Sequence, residues 1–185
     1  MYSMVGTRPD LAYPVGLISR FMSNPIKEHW QAVKWVLRYI KGTVYTRLSF
    51  KKKGDFVVKG YCDSDYAGDP DNRRSISGMV FTAGGNVVSW SSSLQQIVAL
   101  SSTEADYIAN LSEAVTEGVW LKRFAEELGF PQDSVEFPCD SQSAIALSKN
   151  AVHHERTKHV AVKYHFIRDL ISCGEFQISS SEDSQ

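Results

Sequence analysis

The chain has 185 residues, 43% of them hydrophobic and 22% charged, with 12 Gly and 6 Pro. That size suits one ordinary domain with an attached arm, and the composition excludes collagen, coiled coil and wholesale disorder. No apolar run approaches the roughly 20 residues that span a bilayer, and the first ten residues show neither a secretory leader nor a transit pattern, so the chain is read as intracellular. Cys62, Cys139 and Cys173 stand far apart, without the paired spacing of a zinc site or a disulfide framework. The net charge of -1 hides two unlike halves: residues 1–53 carry ten Lys/Arg against Asp10 and Glu28, and the remainder carries ten against nineteen acids. A basic arm joined to an acidic body points to a polyanionic partner held beside a carboxylate-rich site.

The first clear element is a helix, with Asn24 as N-cap, Pro25 at the first position and Gly42 past the end. Ile26, Trp30, Val33, Val36, Leu37 and Ile40 form its apolar stripe, which is expected to promote self-association wherever it is uncovered. Lys34, Arg38 and Lys41 lie on a separate flank, readable as a solvated face or as a phosphate-tracking one. A boundary falls at Lys53-Gly54-Asp55. Beyond it, strands are expected at Phe56–Cys62, Ser77–Ala83 and Val87–Trp90, the last two joined by a Gly84-Gly85-Asn86 hairpin turn. A long helix from about Thr103 to Leu128 follows, stopped by Gly129-Phe130-Pro131, with Trp120 and Phe124 assigned to its core together with Trp90 and Phe166. A strand at Val135–Cys139 runs into a helix near 141–148; another helix near 158–173 leads to a last strand, Glu175–Ser179, and a polar tail. The order gives an α/β fold with a mixed five-stranded sheet, an antiparallel three-strand meander, flanking helices and an N-terminal helical arm. The domain boundaries are a helical arm at 1–53, an α/β body at 54–179 and a disordered tail at 180–185.

Asp63 in GYCDSDYAGD and Asp140 in PCDSQSAIAL each follow an apolar strand, so both belong at a sheet rim. Taken singly, each also fits a turn or helix-cap role; the matching context of the pair makes a candidate site for a hard divalent cation. A third acid comes from SSTEADYIA, where two residues compete. Ser101-x-x-Glu104 fits a capping box, giving Glu104 a local task, and this favours Asp106 with Glu104 as the alternative. Arg73 and Arg74, in DNRRSISG, are candidates for holding nucleic-acid phosphates.

GYCDSDYAGDPDNRRSISGMVFTAGGNVVSWSS, VALSSTEADYIA, CDSQSAIALSKN and HHERTKHVAVKYHFIRDLI together resemble the ribonuclease H (RNase H) domain of copia-type (Ty1/copia) LTR retrotransposon Pol polyproteins, in particular plant Tnt1-like elements. MVGTRPDLAYPVGLISRFMSNPIKEHWQAVKWVLRYIKGT resembles the end of the reverse transcriptase in the same polyproteins. The resemblance implies an RNase H-like fold and hydrolysis of the RNA strand of an RNA:DNA hybrid by two Mg2+ (or Mn2+) ions held on carboxylates. No small-molecule cofactor and no membrane are implied; the partners are the hybrid and the upstream polymerase. An intact element would place the protein in a cytoplasmic virus-like particle. Asp63 then matches the first metal acid and Asp140 the third, while Asp106 stands where the second motif usually ends in Ala-Glu-Tyr. The family's fourth acid follows the last strand, beyond Gln185, and Ala161 replaces a usual Asp. His154 in the loop after the third acid is a candidate to help product or a proton leave, or an ordinary loop residue like His153. A catalytically dead remnant that keeps the fold and at most binds nucleic acid is the alternative function.

Overall fold

The computed structural model describes residues 1–51, 55–108, 114–139, 145 and 169–180. Its helices are α1 (Tyr2–Gly6), α2 (Ala12–Ser19), α3 (Lys27–Gly42), α4 (Ser102–Ile108) and α5 (Ala114–Glu127). The strands are β1 (Val58–Asp65), β2 (Ile76–Ala83), β3 (Asn86–Leu94), β4 (Val135–Cys139) and β5 (Phe176–Ser180), in the sheet order β3-β2-β1-β4-β5. β1 and β2 pair antiparallel, as do β2 and β3, while β4 runs parallel to both β1 and β5. This is the mixed sheet with an antiparallel meander expected from the sequence. The expected helices near 141–148 and 158–173 lie largely outside the described residues, as do Asp140, His153, His154, Ala161 and Phe166.

Gly84 and Gly85 both take positive φ, 56° and 74°, which a tight two-residue hairpin with the sheet's own twist requires. β3 extends past its expected end at Trp90, because Ser91, Ser92 and Ser93 pair with Met79, Gly78 and Ser77 of β2. Backbone pairing holds these serines in a strand although their polarity suggests a loop. β1 starts at Val58 rather than Phe56: a local bond from the Val57 N–H to the Asp55 carbonyl, 3.0 Å, bends the chain first.

The core lies between the sheet and α5. Val58, Phe81, Val135, Phe137 and Phe176 meet Ala114, Val115, Leu121 and Ala125, which recur at helical spacing. Phe81 and Phe137 meet edge to face with centroids 5.6 Å apart, and Phe137 lies 5.1 Å from Phe176. Gly60 of β1 makes room for this cluster, since a Cβ there would collide with both Phe81 and Phe137. Trp120 and Phe124, expected in the core, are 57% and 46% exposed and stack on each other with centroids 5.3 Å apart. The small residues of α5 face inward instead and let the sheet rings approach.

The arm is docked on the body. The Trp90 indole N–H donates to the Met4 carbonyl at 2.6 Å, and Asn86 exchanges two hydrogen bonds with the Lys51 backbone, 2.7 and 2.9 Å. α3 starts at Lys27, two residues later than Pro25 suggests. Ile26 is extended and donates its N–H to Nδ1 of His29, whose ring stacks on Phe21 at 4.1 Å. No residue of α3 is buried, and Lys34, Arg38 and Lys41 are all exposed. Trp30 and Leu37 of the apolar stripe remain more than half exposed.

One polar node closes the arm on itself. Arg8, 9% exposed, donates from Nε and Nη2 to the Asp10 carboxylate at 2.9 and 2.7 Å. It also donates to the Thr43 carbonyl at 3.2 Å and hydroxyl at 2.7 Å, which places a cation where the α3 dipole is negative. The Tyr39 hydroxyl donates to Asp10 at 2.8 Å. The Arg8 hydrogen bond, with Tyr39 adding to it, holds the Asp10 carboxyl down at about 2.

Two predictions follow from this packing. Gly60→Ala lowers the urea midpoint by an amount equivalent to about 1–3 kcal/mol, the usual cost of overpacking, without altering the far-ultraviolet spectrum. Because Asp10 titrates below its ordinary value of 3.8, the node's contribution is complete above that value and disappears as pH falls through about 2. Tryptophan fluorescence should report arm release in that window, and Asp10→Asn should abolish this acid step while weakening the arm at neutral pH.

Candidate active site

Alternation along β1 sorts its residues onto two faces. Gly60, Cys62 and Ser64 point toward the helices, and Tyr61, Asp63 and Asp65 point the other way. Asp63 is exposed, and its Oδ1 accepts the Ser64 backbone N–H at 2.8 Å. The face carrying Asp63 opens into a cleft of about 410 Å3, walled by Pro9, Ala12 and Tyr13 of the arm and floored by Tyr61, Gly78 and Trp90. On the same face Lys59 pairs with Glu136 of β4 at 2.6 Å.

Asp106 comes from the helical side. It is half-buried in α4, and its Oδ1 accepts the Ser64 hydroxyl at 2.8 Å. Ser64, near the end of β1, therefore donates to both carboxylates, through its backbone N–H to Asp63 and through its hydroxyl to Asp106. Glu104 is 7% exposed and closes the start of α4: its Oε2 accepts the Leu100 N–H at 2.7 Å, while its own N–H donates to the Ser101 hydroxyl at 3.1 Å. The capping box forms as expected, except that the carboxylate reaches one residue further back than Ser101. Asp63 and Asp106 offer hard oxygen donors of the kind a divalent cation takes, and Asp140 falls outside the described residues. Among the described residues no three His, Cys, Asp or Glu side chains cluster closely enough to hold a metal.

The loop after β1 presents the two arginines. Asp69, 6% exposed, accepts the Asp71 N–H at 3.2 Å and the Asn72 amide at 2.9 Å. Its backbone closes on both arginines, with its N–H donating to the Arg74 carbonyl and its carbonyl accepting the Arg73 N–H. The Asn72 hydrogen bond pulls the Asp69 carboxyl below the ordinary carboxylate range, against the opposing effect of burial. Arg73 is exposed, with φ at 55°, and Arg74 is half-buried.

Sequence reasoning does not single out Gln95 or Ser64, and it reads Ser75 and Ser77, with Asn72, as hydrogen-bonding candidates for a nucleic-acid backbone or as residues of a solvated turn. Gln95, Ser75 and Ser77 are buried. The Gln95 side-chain amide donates to Ser77 Oγ and to the Ala105 carbonyl, each at 2.9 Å. The Ser75 hydroxyl accepts the Ala67 N–H at 3.1 Å. Their only signal is a run of polar residues between two apolar elements, which describes a solvated loop equally well.

No family model matches the chain. It is 53% identical over 186 residues to the retrovirus-related Pol polyprotein from transposon TNT 1-94 of Nicotiana tabacum, covering 99% of this chain and 14% of that one. It is 39% identical over 178 residues to the Pol polyprotein from transposon RE2 of Arabidopsis thaliana, covering 93% of this chain and 12% of that one. The secreted RxLR effector protein 161 of Plasmopara viticola is 54% identical over 121 residues, which cover 65% of this chain and 84% of that protein. Two solved structures are fainter matches. An RNase H1 isolated from compost has a TM-score of 0.47 at 18% identity, over 67% of this chain and 83% of that one. RNase H1 from the archaeon Halobacterium salinarum has a TM-score of 0.42 at 20% identity, over 68% of this chain and 87% of that one. The chain spans about 14% of the length of the first of these Pol polyproteins. Over nearly its whole length, the chain is similar to one segment of copia-type retrotransposon Pol polyproteins.

Proposed function

We propose that residues 54–179 form an RNase H domain that hydrolyses the RNA strand of RNA:DNA hybrids, and that residues 1–53 are the end of the polymerase that precedes it. The observation that carries this reading is the parallel pairing of β1 with β4. Lys59 is level with Glu136, and Asp63 and Asp140 follow that pair by the same number of residues. Asp63, Asp140 and one acid of α4, Asp106 or Glu104, are the residues that would hold divalent metal. When bound, the metal supplies an activated water and charge neutralisation at the departing oxygen.

This chain's own contribution is to hold negative charge at one edge of the sheet and positive charge around it. Asp106 is oriented by the Ser64 hydroxyl, whereas the Glu104 carboxylate serves the backbone at the start of α4, which favours Asp106 of the two. Arg73 and Arg74 are presented by the loop after β1 as phosphate contacts, and Lys34, Arg38 and Lys41 extend a cationic surface along the arm. Recognition through phosphates and hybrid shape needs nothing more specific. His154 is the remaining candidate, for proton or product departure.

Cleavage of a labelled RNA:DNA hybrid in Mg2+ and in Mn2+ tests the reading. The chain should cut the RNA strand, and Asp63→Asn and Asp140→Asn should each reduce the rate by about 100-fold or more, as expected for loss of preorganised charge. Asp106→Asn and Glu104→Gln, measured together, decide which acid of α4 belongs to the site. No cutting in either metal by a folded chain that still binds the hybrid would identify a catalytically dead relative. Arg73→Gly separates binding from strain: it should stabilise the fold by about 1 kcal/mol, because glycine tolerates the left-handed backbone, yet weaken hybrid binding in a salt-dependent manner. Melting and titration at two salt concentrations read the two effects independently.

A further inference from the structure

The residues around Asp106 form a closed polar circuit. Ser64 of β1 and Ser77 of β2 are partners across the antiparallel ladder. Ser77 Oγ accepts from the Gln95 amide, which also donates to the carbonyl of Ala105. The next residue, Asp106, accepts from the Ser64 hydroxyl and completes the ring. Gln95 is 3% exposed, and its backbone N–H is fixed by the Ser75 carbonyl at 2.9 Å. A single buried amide thus spans the gap between β2 and the first turn of α4.

We infer that Gln95 is a positioning residue whose amide sets the depth and rotation of α4 on the sheet, and thereby holds the Asp106 carboxylate at the end of β1. The inference rests on the proposed hydrolase and deepens it. The physical case is one of geometry. A helix resting on a sheet through apolar contacts alone can slide and rotate, because such contacts are non-directional. The two Gln95 bonds are directional, and they are buried where losing a partner costs the full desolvation of the group left behind. One acceptor lies on α4 beside Asp106, and the other, Ser77 of β2, is the ladder partner of Ser64 in β1, so the two bonds tie α4 to the part of the sheet that Asp106 reaches.

The test is a pair of double-mutant cycles on the full chain. In hybrid cleavage, Gln95→Met should lower kcat by about 10-fold or more with KM little changed, since small misplacement of a reacting group is costly. In the Asp106→Asn background the same substitution should have no further effect. In urea unfolding, Ser64→Ala should lower the midpoint of the parent and leave that of Gln95→Met unchanged. Ser77→Ala, which removes one acceptor and keeps the amide, should give a smaller loss with the same non-additivity and serves if Gln95→Met does not fold. An unchanged kcat in Gln95→Met overturns the inference, and so do additive losses in either cycle. If the parent chain cuts no hybrid, the hydrolase reading fails separately, and the unfolding cycle alone decides whether Gln95 places Asp106.

Discussion

The structure depends on β1 having two hydrogen-bonded edges and two faces with different tasks. Antiparallel pairing to β2 and parallel pairing to β4 fix its position at the centre of the sheet. Gly60 then lies beneath the Phe81 and Phe137 rings, and Asp63 is turned to the opposite face. A slip of one residue would exchange those faces, pushing a carboxylate against the aromatic cluster, so the packing of the core sets the address of the acid. The same parallel pairing brings Asp63 of β1 beside the C-terminal end of β4, after which Asp140 follows in sequence.

The polar residues around this rim divide into those that face solvent and those that hold the frame. Asp63, Asp65 and Arg73 are exposed; Asp69, Gln95, Ser75, Ser77 and Glu104 are buried and bonded to backbone or to one another. The hydrogen bonds of these buried groups are directional, so they tie the loop after β1 and the start of α4 to the sheet. The arm adds a second surface. Its docking on β3 through Trp90 and Asn86 makes Pro9, Ala12 and Tyr13 a wall of the Asp63 cleft.

Much of this was legible in the sequence because local chemistry demands it. Gly84-Gly85 permits little other than a tight hairpin; Asp63, expected just past its strand, instead lies inside β1 opposite Gly78, because pairing with β2 continues to Asp65. Ser101 and Glu104 announced the start of α4 through their spacing. What escaped depended on partners distant in the chain. A buried glutamine such as Gln95 has the same letter as a solvated one, and the serines of β3 look like a loop until β2 pairs with them. Trp120 and Phe124 read as core by hydrophobicity, but the face of α5 that meets the sheet is Ala114, Val115, Gly118, Leu121 and Ala125, and the two aromatic residues lie off it. Pro25 marked the neighbourhood of a helix start, and the His29 bond to Ile26 moved the boundary.

The proposed function requires Asp63, one acid of α4 and Asp140 to take up a common divalent cation. Paramagnetic line broadening by substoichiometric Mn2+ on the labelled full chain tests it most directly. The account predicts selective loss of amide signals at Cys62 to Asp65 and at Glu104 to Asp106, with Asp63→Asn restoring them and distant amides such as Ala125 retained throughout. Broadening centred on another acidic stretch, such as Glu126 and Glu127, or no selective broadening at all, would contradict it.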